Sequence, residues 1–365
     1  MRVPRAIAIA VALLATLVGA APARAHHASH KKAIWGPASP DAFRTYHRLG
    51  VGIYEMYLNW SATAPTRPAK PADPNDPAYA WPPEVDQAIH EANRYGIRVL
   101  LQIAATPRWA NGGRASNWAP TRPADLAAFA KAAARRYRTV RHWMVWGEPT
   151  RRPNFMPLNR ETLGEPLTAK EKRAPRRYAR MLDASYRALK RVRRRNVVIG
   201  GNSFTTGDIS PLNWIRYMRL PSGRRPRMDM YGHNPFTYRR PDLRKPQTHP
   251  GSGYADFSDL DEVWGWLDRY GYRNSRGRRL RVFISEWTLP TDHANHEFNF
   301  WVTHAVQARW LRQALRIVRR NHRLYTLGWI ALYDDPPLAS GDEVNRGLLD
   351  YQGRRKRSFY AYRDG

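Results

Sequence analysis

Two glutamates in this sequence end apolar runs in the same way. Glu148 closes the run Trp143-Met-Val-Trp-Gly-Glu and stands directly before Pro149, a residue type that stops a strand. Glu286 closes a second run, Val282-Phe-Ile-Ser-Glu. A carboxyl group at the end of a buried strand is costly to desolvate unless it has a partner or a task. One such glutamate has an ordinary structural explanation, but two in the same context predict a pair that works together.

A pair of carboxyl groups is suited to cleaving a glycosidic bond. When the two groups lie about 5 Å apart, one protonates the leaving oxygen and the other attacks the anomeric carbon, which retains the anomeric configuration. The acid must hold its proton near neutral pH, and aromatic walls such as Trp146 and Tyr231 favour this. The nucleophile must stay ionised, which His233 or nearby arginines favour. The pair therefore predicts a retaining glycosidase.

Short apolar runs alternate with helical patterns along the whole chain, which is typical of a parallel α/β fold. We predict eight strands, at Ala33–Trp35, Gly52–Leu58, Arg98–Ile103, His142–Trp146, Val197–Gly200, Met228–Tyr231, Arg281–Ser285 and Thr326–Leu332. Helical periodicity between them is clearest at Asp41–Leu49, Glu84–Tyr95, Ala124–Tyr137, Ala174–Arg193, Leu260–Tyr270 and His304–Asn321. Eight repeats without a long linker predict one (β/α)₈ barrel, over residues 33–365, rather than two domains.

A barrel of this kind would bring the two glutamates together. They end the fourth and seventh predicted strands, which lie on opposite sides of a barrel of eight strands, so their tips can face each other. The Pro-rich stretch 64–83 and the insertion 149–175 are expected to be loops at the C-terminal end, where such barrels hold their active sites.

Four motifs in this order resemble glycoside hydrolase clan A, and within it the family 39 and family 5-like enzymes. They are Gly147-Glu148-Pro149, Gly232-His233-Asn234-Pro235, Ser285-Glu286-Trp287 and Gly328-Trp329-Ile330, and the resemblance covers essentially the whole chain after residue 25. The resemblance implies a secreted retaining enzyme without a cofactor or a metal, acting on an oligo- or polysaccharide. It assigns Glu148 as the acid/base and Glu286 as the nucleophile.

The resemblance also suggests residues that contact the sugar. Trp60, Trp109, Trp287 and Trp329 are candidate platforms, because an aromatic face suits the apolar side of a pyranose; ordinary packing is the alternative for each. His233 is expected to hydrogen-bond a sugar hydroxyl or the nucleophile.

One position departs from the clan pattern. Clan members usually carry Asn before the acid/base, where its amide binds the sugar 2-hydroxyl, and this chain has Gly147. A hydrogen bond that strengthens in the transition state supplies several kcal/mol. Asn202 and Asn234 are candidate replacement donors. The alternative is a non-catalytic carbohydrate-binding barrel.

The N-terminus has the pattern of an export signal. Arg2 and Arg5 precede an apolar run from Ala6 to Ala20, and Ala23-Arg24-Ala25 is a small-x-small cleavage site, so residues 1–25 are a predicted signal peptide. The run is too short to favour a membrane span. Residues 26–32 are expected to be a polar tail, although His26, His27 and His30 are of a type that binds copper or zinc. Without cysteine, a large hydrophobic core must stabilise the fold.

The chain is strongly basic, with a formal net charge of +31 that becomes +28 once the three arginines of residues 1–25 are removed. One interpretation is attraction to an acidic glycan or an anionic cell wall, which makes a wall-binding surface protein the second alternative. The other is a bias toward arginine in composition, since only 9 of the 61 basic residues are Lys. No basic run has the interleaved aromatics of a nucleic-acid module, so no nucleic-acid partner is predicted.

Overall fold

The computed structural model describes residues 28–365. The predicted signal peptide, residues 1–25, and the histidines His26 and His27 lie outside the described residues. Within residues 28–365, none of the helices combines the length and the apolar character required to cross a membrane. The same residues contain no group of three or more His, Asp or Glu side chains arranged to hold a metal ion.

Eight parallel strands close into a barrel, which confirms the predicted fold. Each strand pairs with the next along the chain, and the eighth pairs with the first. The strands are β1 Ser29–Trp35, β2 Val51–Asn59, β3 Arg98–Ala104, β4 His142–Val145, β5 Val197–Phe204, β6 Met230–Asn234, β7 Arg281–Trp287 and β8 Leu324–Ile330. All eight predicted strands are present, and their ends differ from the prediction by up to four residues.

The first strand begins earlier than predicted, at Ser29 rather than Ala33, so the polar tail predicted for residues 26–32 is wrong for residues 29–32. Their polar side chains satisfy backbone groups at the N-terminal end of the barrel. The Lys31 ammonium donates to the Leu324 carbonyl at 2.6 Å, and the Lys32 ammonium donates to the Arg363 carbonyl at 2.8 Å. His30 packs against the Tyr325 ring at 5.1 Å between ring centroids.

Helices surround the barrel. They are α1 Pro40–Leu49, α2 Trp60–Thr63, α3 Pro83–Arg94, α4 Arg108–Asn111, α5 Pro123–Arg136, α6 Arg173–Val192, α7 Pro211–Tyr217, α8 Leu260–Arg269, α9 His304–Arg320 and α10 Arg357–Asp364. Several start at a proline, whose fixed φ and missing N–H suit the first turn. Every helix predicted from periodicity is present within two residues of its predicted ends. The loops predicted at 64–83 and 149–175 follow β2 and β4, at the C-terminal end of the barrel.

The core has two layers, one between the strands and the helices and one inside the barrel. The inner layer is apolar near the N-terminal end of the barrel, where its members are Ala33, Ile53, Leu100, Met144, Ile199, Met230, Phe283 and Tyr325. Toward the C-terminal end it becomes polar, with the buried side chains of Glu55, Gln102 and Ser285. Buried polar groups require partners. The candidate site lies directly above this polar layer, at the C-terminal end of the barrel.

Candidate active site

The barrel brings Glu148 and Glu286 into one cleft at its C-terminal end. Glu148 lies three residues beyond the end of β4, and Glu286 is the penultimate residue of β7. Both side chains line each of two adjoining cavities, of about 200 Å³ and 370 Å³. The two carboxyls therefore stand where the two halves of the cleft meet.

The side-chain amide of Asn234 forms hydrogen bonds with both glutamates. Asn234, fully buried at the end of β6, donates from Nδ2 to Glu148 Oε1 at 2.9 Å. Its Oδ1 accepts the backbone N–H of Glu286 at 3.1 Å. Because one end of the amide donates and the other accepts, both contacts fix its orientation. Asn234 was predicted to contact the sugar, but it lines neither cavity and joins the Glu148 carboxyl to the backbone of Glu286 instead.

The other oxygen of Glu148 is held by the turn that follows it. Glu148 Oε2 accepts from Arg151 Nη1 at 2.7 Å and from Asn154 Nδ2 at 3.1 Å. The turn is backbone-strained, because Trp146 and Glu148 have φ values of 71° and 40°, in the left-handed region. Such strain persists where surrounding contacts over-determine the conformation, and it concentrates at functional sites. Here the Trp146 indole donates to the Asn154 carbonyl at 2.8 Å and closes the turn.

Glu286 has a different environment. Within residues 28–365, no hydrogen bond to its carboxyl oxygens is present. Its side chain faces the cleft, yet the surrounding protein excludes most water, so burial raises its pKa, and the charge of Glu148 raises it further. Arg346 and Arg151 oppose this rise without cancelling it. Arginines therefore do face the predicted nucleophile, but they do not outweigh burial and its carboxyl neighbour.

Gly147 leaves room for another side chain. A Cβ built at position 147 would lie 2.4 Å from Gln102 Nε2 and 3.1 Å from Gln102 Cδ. Gln102 is fully buried, and its Oε1 accepts from Asn202 Nδ2 at 3.4 Å. Gln102 on β3 thus fills the space that the Asn of the clan pattern needs. Asn202 was predicted as a replacement donor toward the sugar, but it is buried against Gln102 and lines neither cavity.

His233 lies in the core beside β5 rather than in the cleft. Its Nδ1 accepts from Ser203 Oγ at 2.8 Å, and its Nε2 donates to the Ala255 carbonyl at 2.9 Å. Burial lowers its pKa to about 4, which keeps the ring neutral. Tyr231 donates to the same Ser203 Oγ at 3.0 Å, so it forms part of this network. Both ring nitrogens are therefore engaged within the protein, and neither is directed at the sugar or at Glu286 as predicted.

The four tryptophans predicted as sugar platforms line neither cavity. Trp60 stacks on Phe129, and Trp109 donates its indole N–H to the Ala64 carbonyl at 2.8 Å. Trp287 and Trp329 are fully buried and pack against each other, with ring centroids 5.7 Å apart. These side chains belong to the layer between strands and helices.

Strand geometry explains the outcome at β8. Successive side chains of a strand point to opposite faces. Gly328 faces the barrel interior, since a Cβ there would lie 2.5 Å from Glu55 Oε1. Trp329 consequently faces outward, and Ile330 lines the larger cavity. The sequence motif is therefore near the cleft, but the side chain that lines the cavity is Ile330 and not Trp329.

The two halves of the cleft differ in chemistry. The smaller, which we call the polar half, is lined in addition to the glutamates by Tyr57, Ala104, Ala105, Ser116, Asn117, Trp146, Gly147 and Asn154. The larger, the aromatic half, contains the rings of Phe204, Phe236, Tyr238, Phe298 and Phe300, together with Arg151, His296, Glu297, Asn299, Ile330 and Arg346. The five rings form a continuous chain, with neighbouring centroids 4.5 to 5.8 Å apart. Sequence reasoning missed these residues, although aromatic side chains in the polar loops after β6 and β7 were a signal.

A third carboxyl lies beneath the pair. Glu55 on β2 is fully buried, and its Oε2 accepts from Ser285 Oγ at 2.8 Å, while its Oε1 has no partner among the described residues. Burial raises the pKa of Glu55 well above its ordinary value, more than the Ser285 hydrogen bond lowers it. Burial therefore favours the neutral form of Glu55 beneath Glu286.

Comparison with known proteins gives a likeness of structure only. No protein-family model matches the chain, and no curated protein sequence matches it. Among solved structures it is similar to a family 39 glycoside hydrolase from Bacteroides cellulosilyticus WH2, with a TM-score of 0.64 and 18% identity over 93% of this chain and 64% of that one. It is also similar to a monomeric β-xylosidase from Caulobacter crescentus CB15, with a TM-score of 0.59 and 15% identity over 91% of this chain and 67% of that one. A glucosidase from Croceicoccus marinus gives a TM-score of 0.63 and 15% identity over 93% and 67%. At these identities the shared property is the fold, and the chain spans about two thirds of the length of each.

Proposed function

We propose that this protein is a retaining glycoside hydrolase of the family 39 type. The observation that carries the proposal is a pair of glutamates, one after β4 and one on β7, that share a cleft and are bridged by Asn234. Solved structures of similar fold that are glycoside hydrolases support the same activity. Glu148 serves as the acid/base and Glu286 as the nucleophile.

The reaction proceeds in two displacements. A carboxylate oxygen of Glu286 forms a bond to the anomeric carbon, the bond to the leaving oxygen breaks, and Glu148 gives that oxygen its proton. Water then attacks the anomeric carbon, Glu148 takes the proton of this water, and the bond to Glu286 breaks. Asn234 holds the Glu148 carboxyl relative to the backbone of Glu286, which limits the relative movement of the two residues.

Substrate must rearrange the hydrogen bonds of the free site. Two of the three donors to Glu148 contact Oε2, so a glycosidic oxygen that approaches this oxygen displaces one of them. Arg151 is the donor to move, because its side chain is 40% exposed, while Asn234 is fully buried. Glu286 must also be ionised for the first step, against the rise in its pKa that burial and the charge of Glu148 cause.

The cleft favours a neutral sugar. The polar half offers hydroxyl and amide groups from Tyr57, Ser116 and Asn117 for hydrogen bonds. The aromatic half offers ring faces for the C–H side of a sugar. In the free site its two arginines pair with protein carboxylates, Arg151 with Glu148 and Arg346 with Glu297, which weakens their attraction for an acidic glycan.

We propose that the enzyme is exported, on the basis of the signal pattern in residues 1–25. Expression of the full-length gene in a bacterial host tests this. The expected product in the medium or periplasm has His26 as its first residue by N-terminal sequencing. Recovery of the whole product in the cytoplasm with residues 1–25 intact would refute export.

A panel of aryl glycosides, assayed with wild type, Glu286→Gln and Glu148→Ala, tests the activity. Wild type should cleave at least one member with retention, as followed by NMR of the first-formed anomer. Glu286→Gln should lose activity by about 10³-fold or more, and azide should rescue Glu148→Ala on a substrate with a good leaving group. Full residual activity of Glu148→Ala, without rescue, would overturn its role.

A second candidate function is a non-catalytic carbohydrate-binding barrel. It is favoured by Gly147 and by the ion pair that occupies Glu148. It predicts that wild type turns over none of the glycosides while Glu286→Ala binds glycans as wild type does. Cleavage by wild type that is abolished in Glu286→Ala excludes it.

A further inference from the structure

A groove with a strongly basic lining lies at the N-terminal end of the barrel. It has a volume of about 780 Å³, larger than either half of the catalytic cleft. Its lining comes from the residues that directly precede β5, β6, β7 and β8, so it lies on the face opposite Glu148 and Glu286. Eight of its sixteen lining residues are Lys or Arg, and one, Asp229, is acidic. We call this surface the basic groove.

The positive charges of the basic groove are largely uncompensated. Lys190 pairs with Asp229 at 2.7 Å, and Arg323 and Arg279 pair with Asp268. No ion pair within residues 28–365 involves the remaining five, which are Arg194, Arg195, Arg276, Arg278 and Arg281. All five are exposed. Like charges at short range repel one another and raise the free energy of the folded state unless a counter-charge binds.

The surroundings of the groove reinforce the positive potential. Burial and the neighbouring charges of Arg193 and Arg195 lower the pKa of the Arg141 guanidinium, which lies before β4. Burial and Arg281 likewise lower the pKa of the Lys31 ammonium on β1. A second cavity, of about 570 Å³, shares Lys190, Arg194, Arg195 and Arg276 with the groove and extends it outward. The positive field thus continues beyond a single ion-sized site.

We propose that the basic groove binds a linear anionic polysaccharide, through carboxylate, sulfate or phosphate groups repeated along the chain. Bidentate guanidinium contacts to such oxyanions are strong and match the arginine-rich lining. The site is separate from the catalytic cleft and does not depend on turnover. It fixes the protein to a polymer while leaving the cleft open.

Two other polyanions fit the groove less well. Binding of single-stranded nucleic acid relies on exposed aromatic rings for base stacking. The tyrosine of the groove, Tyr325, is 8% exposed and lies beneath the Arg281 guanidinium at 4.6 Å. An anionic membrane surface would favour apolar side chains that insert, and the exposed large hydrophobic residues of the described chain all lie outside the groove.

Two variants with equal loss of charge test the proposal. The groove variant carries Arg194→Gln, Arg195→Gln, Arg276→Gln and Arg278→Gln. The control carries Arg309→Gln, Arg312→Gln, Arg316→Gln and Arg320→Gln, at four exposed positions of α9. Arg281 and Arg279 are left intact because the first stacks on Tyr325 and the second pairs with Asp268. Unchanged melting temperatures establish that both variants fold.

The probe is polygalacturonate, with neutral dextran and single-stranded DNA as comparison ligands, titrated over a range of salt concentrations. The groove variant should bind polygalacturonate about tenfold or more weakly, with a salt slope reduced by about two to four, because each lost oxyanion contact removes about one counterion released. The control should keep the wild-type slope within about one.

Wild-type binding by the groove variant would overturn the proposal, as would an equal loss in both variants. Tighter binding of the DNA than of polygalacturonate would overturn the choice of polymer. Activity on a small aryl glycoside should be the same in all three proteins, so a failure here is distinct from a failure of the proposed hydrolase.

Discussion

The two ends of the barrel use positive charge in opposite ways. At the C-terminal end, both arginines of the cleft are paired with carboxylates, Arg151 with Glu148 and Arg346 with Glu297. At the N-terminal end, five exposed arginines of the basic groove have no ion pair within residues 28–365. The same residue type is therefore committed within the protein at one end and available to a partner at the other.

The two kinds of arginine act over different distances. A paired arginine beside a carboxylate acts at short range, where salt screens little, and it helps to hold that carboxylate in position. Unpaired exposed arginines create a field over a wider surface, which salt weakens within about 10 Å at 0.1 M. Turnover should consequently be insensitive to moderate salt, while polymer binding should be strongly sensitive.

The largest effect that would sharpen this contrast is expected from Asn234→Ala. The change removes the bridge between Glu148 and Glu286, and we expect kcat/KM to fall by about 10²-fold, mainly in kcat, because the carboxyls lose their relative position. Asn202→Ala is the matched control, since it removes an equally buried amide that contacts Gln102 instead. Steady-state kinetics on an aryl glycoside measures both. Equal losses in the two variants would show that Asn234 has no special role, and binding of polygalacturonate should change in neither.

A second effect concerns the departure at Gly147. Introducing Gly147→Asn places a Cβ 2.4 Å from Gln102 Nε2, and overpacking of this kind costs about 1–3 kcal/mol of unfolding free energy. Combining it with Gln102→Ser removes the clash, so thermal unfolding should return toward that of the Gln102→Ser single variant. If the Asn amide then reaches the sugar 2-hydroxyl, kcat/KM of the double variant should exceed that of Gln102→Ser. A double variant no more stable than Gly147→Asn would contradict this explanation of the glycine.

The sequence predicted the barrel and both glutamates because their signals are local. Each apolar run ending in Glu contains the strand, its end and the carboxyl within a few residues, and the order of runs determines which strands face each other. The same approach wrongly predicted a polar tail at residues 29–32, which are part of β1. Their polar side chains bind carbonyls from distant parts of the chain, such as those of Leu324 and Arg363.

The remainder of the site depends on relations between distant residues. Trp329 lies in the expected motif, but whether it or Ile330 reaches the cleft depends on the orientation of β8 in the closed barrel. Gln102 on β3 occupies the space beside Gly147 in the turn after β4. Neither segment alone predicts this contact, because the two are distant in the sequence. The rings of the aromatic half come from the last residue of β5 and from the loops after β6 and β7, whose conformations no short pattern specifies.

A third effect tests how the cleft arginines act on Glu286, the proposed nucleophile. Arg346 is the strongest of the charges that lower the pKa of Glu286. Arg346→Gln should raise that pKa further, so the acid limb of kcat/KM should move to higher pH, by roughly one unit or less. Arg312→Gln, an exposed change on α9, serves as the control for net charge. An acid limb that stays in place or moves to lower pH would contradict the claim that Arg346 lowers the pKa of Glu286.

A fourth effect concerns the dependence of stability on pH. Burial and the charge of Glu148 raise the pKa of Glu286 from its ordinary value of 4.5 to about 8 in the folded protein. The folded state therefore holds this proton more tightly than the unfolded state, and its contribution to stability is complete below about pH 4.5 and is lost as the pH rises toward about 8. We expect the Tm of wild type to fall across this range, and Glu286→Gln, which stays neutral, to remove part of the fall. Glu84→Gln, at an exposed position on α3, should leave the pH dependence unchanged. Identical slopes of Tm against pH for wild type and Glu286→Gln would contradict a raised pKa of Glu286 in the folded protein.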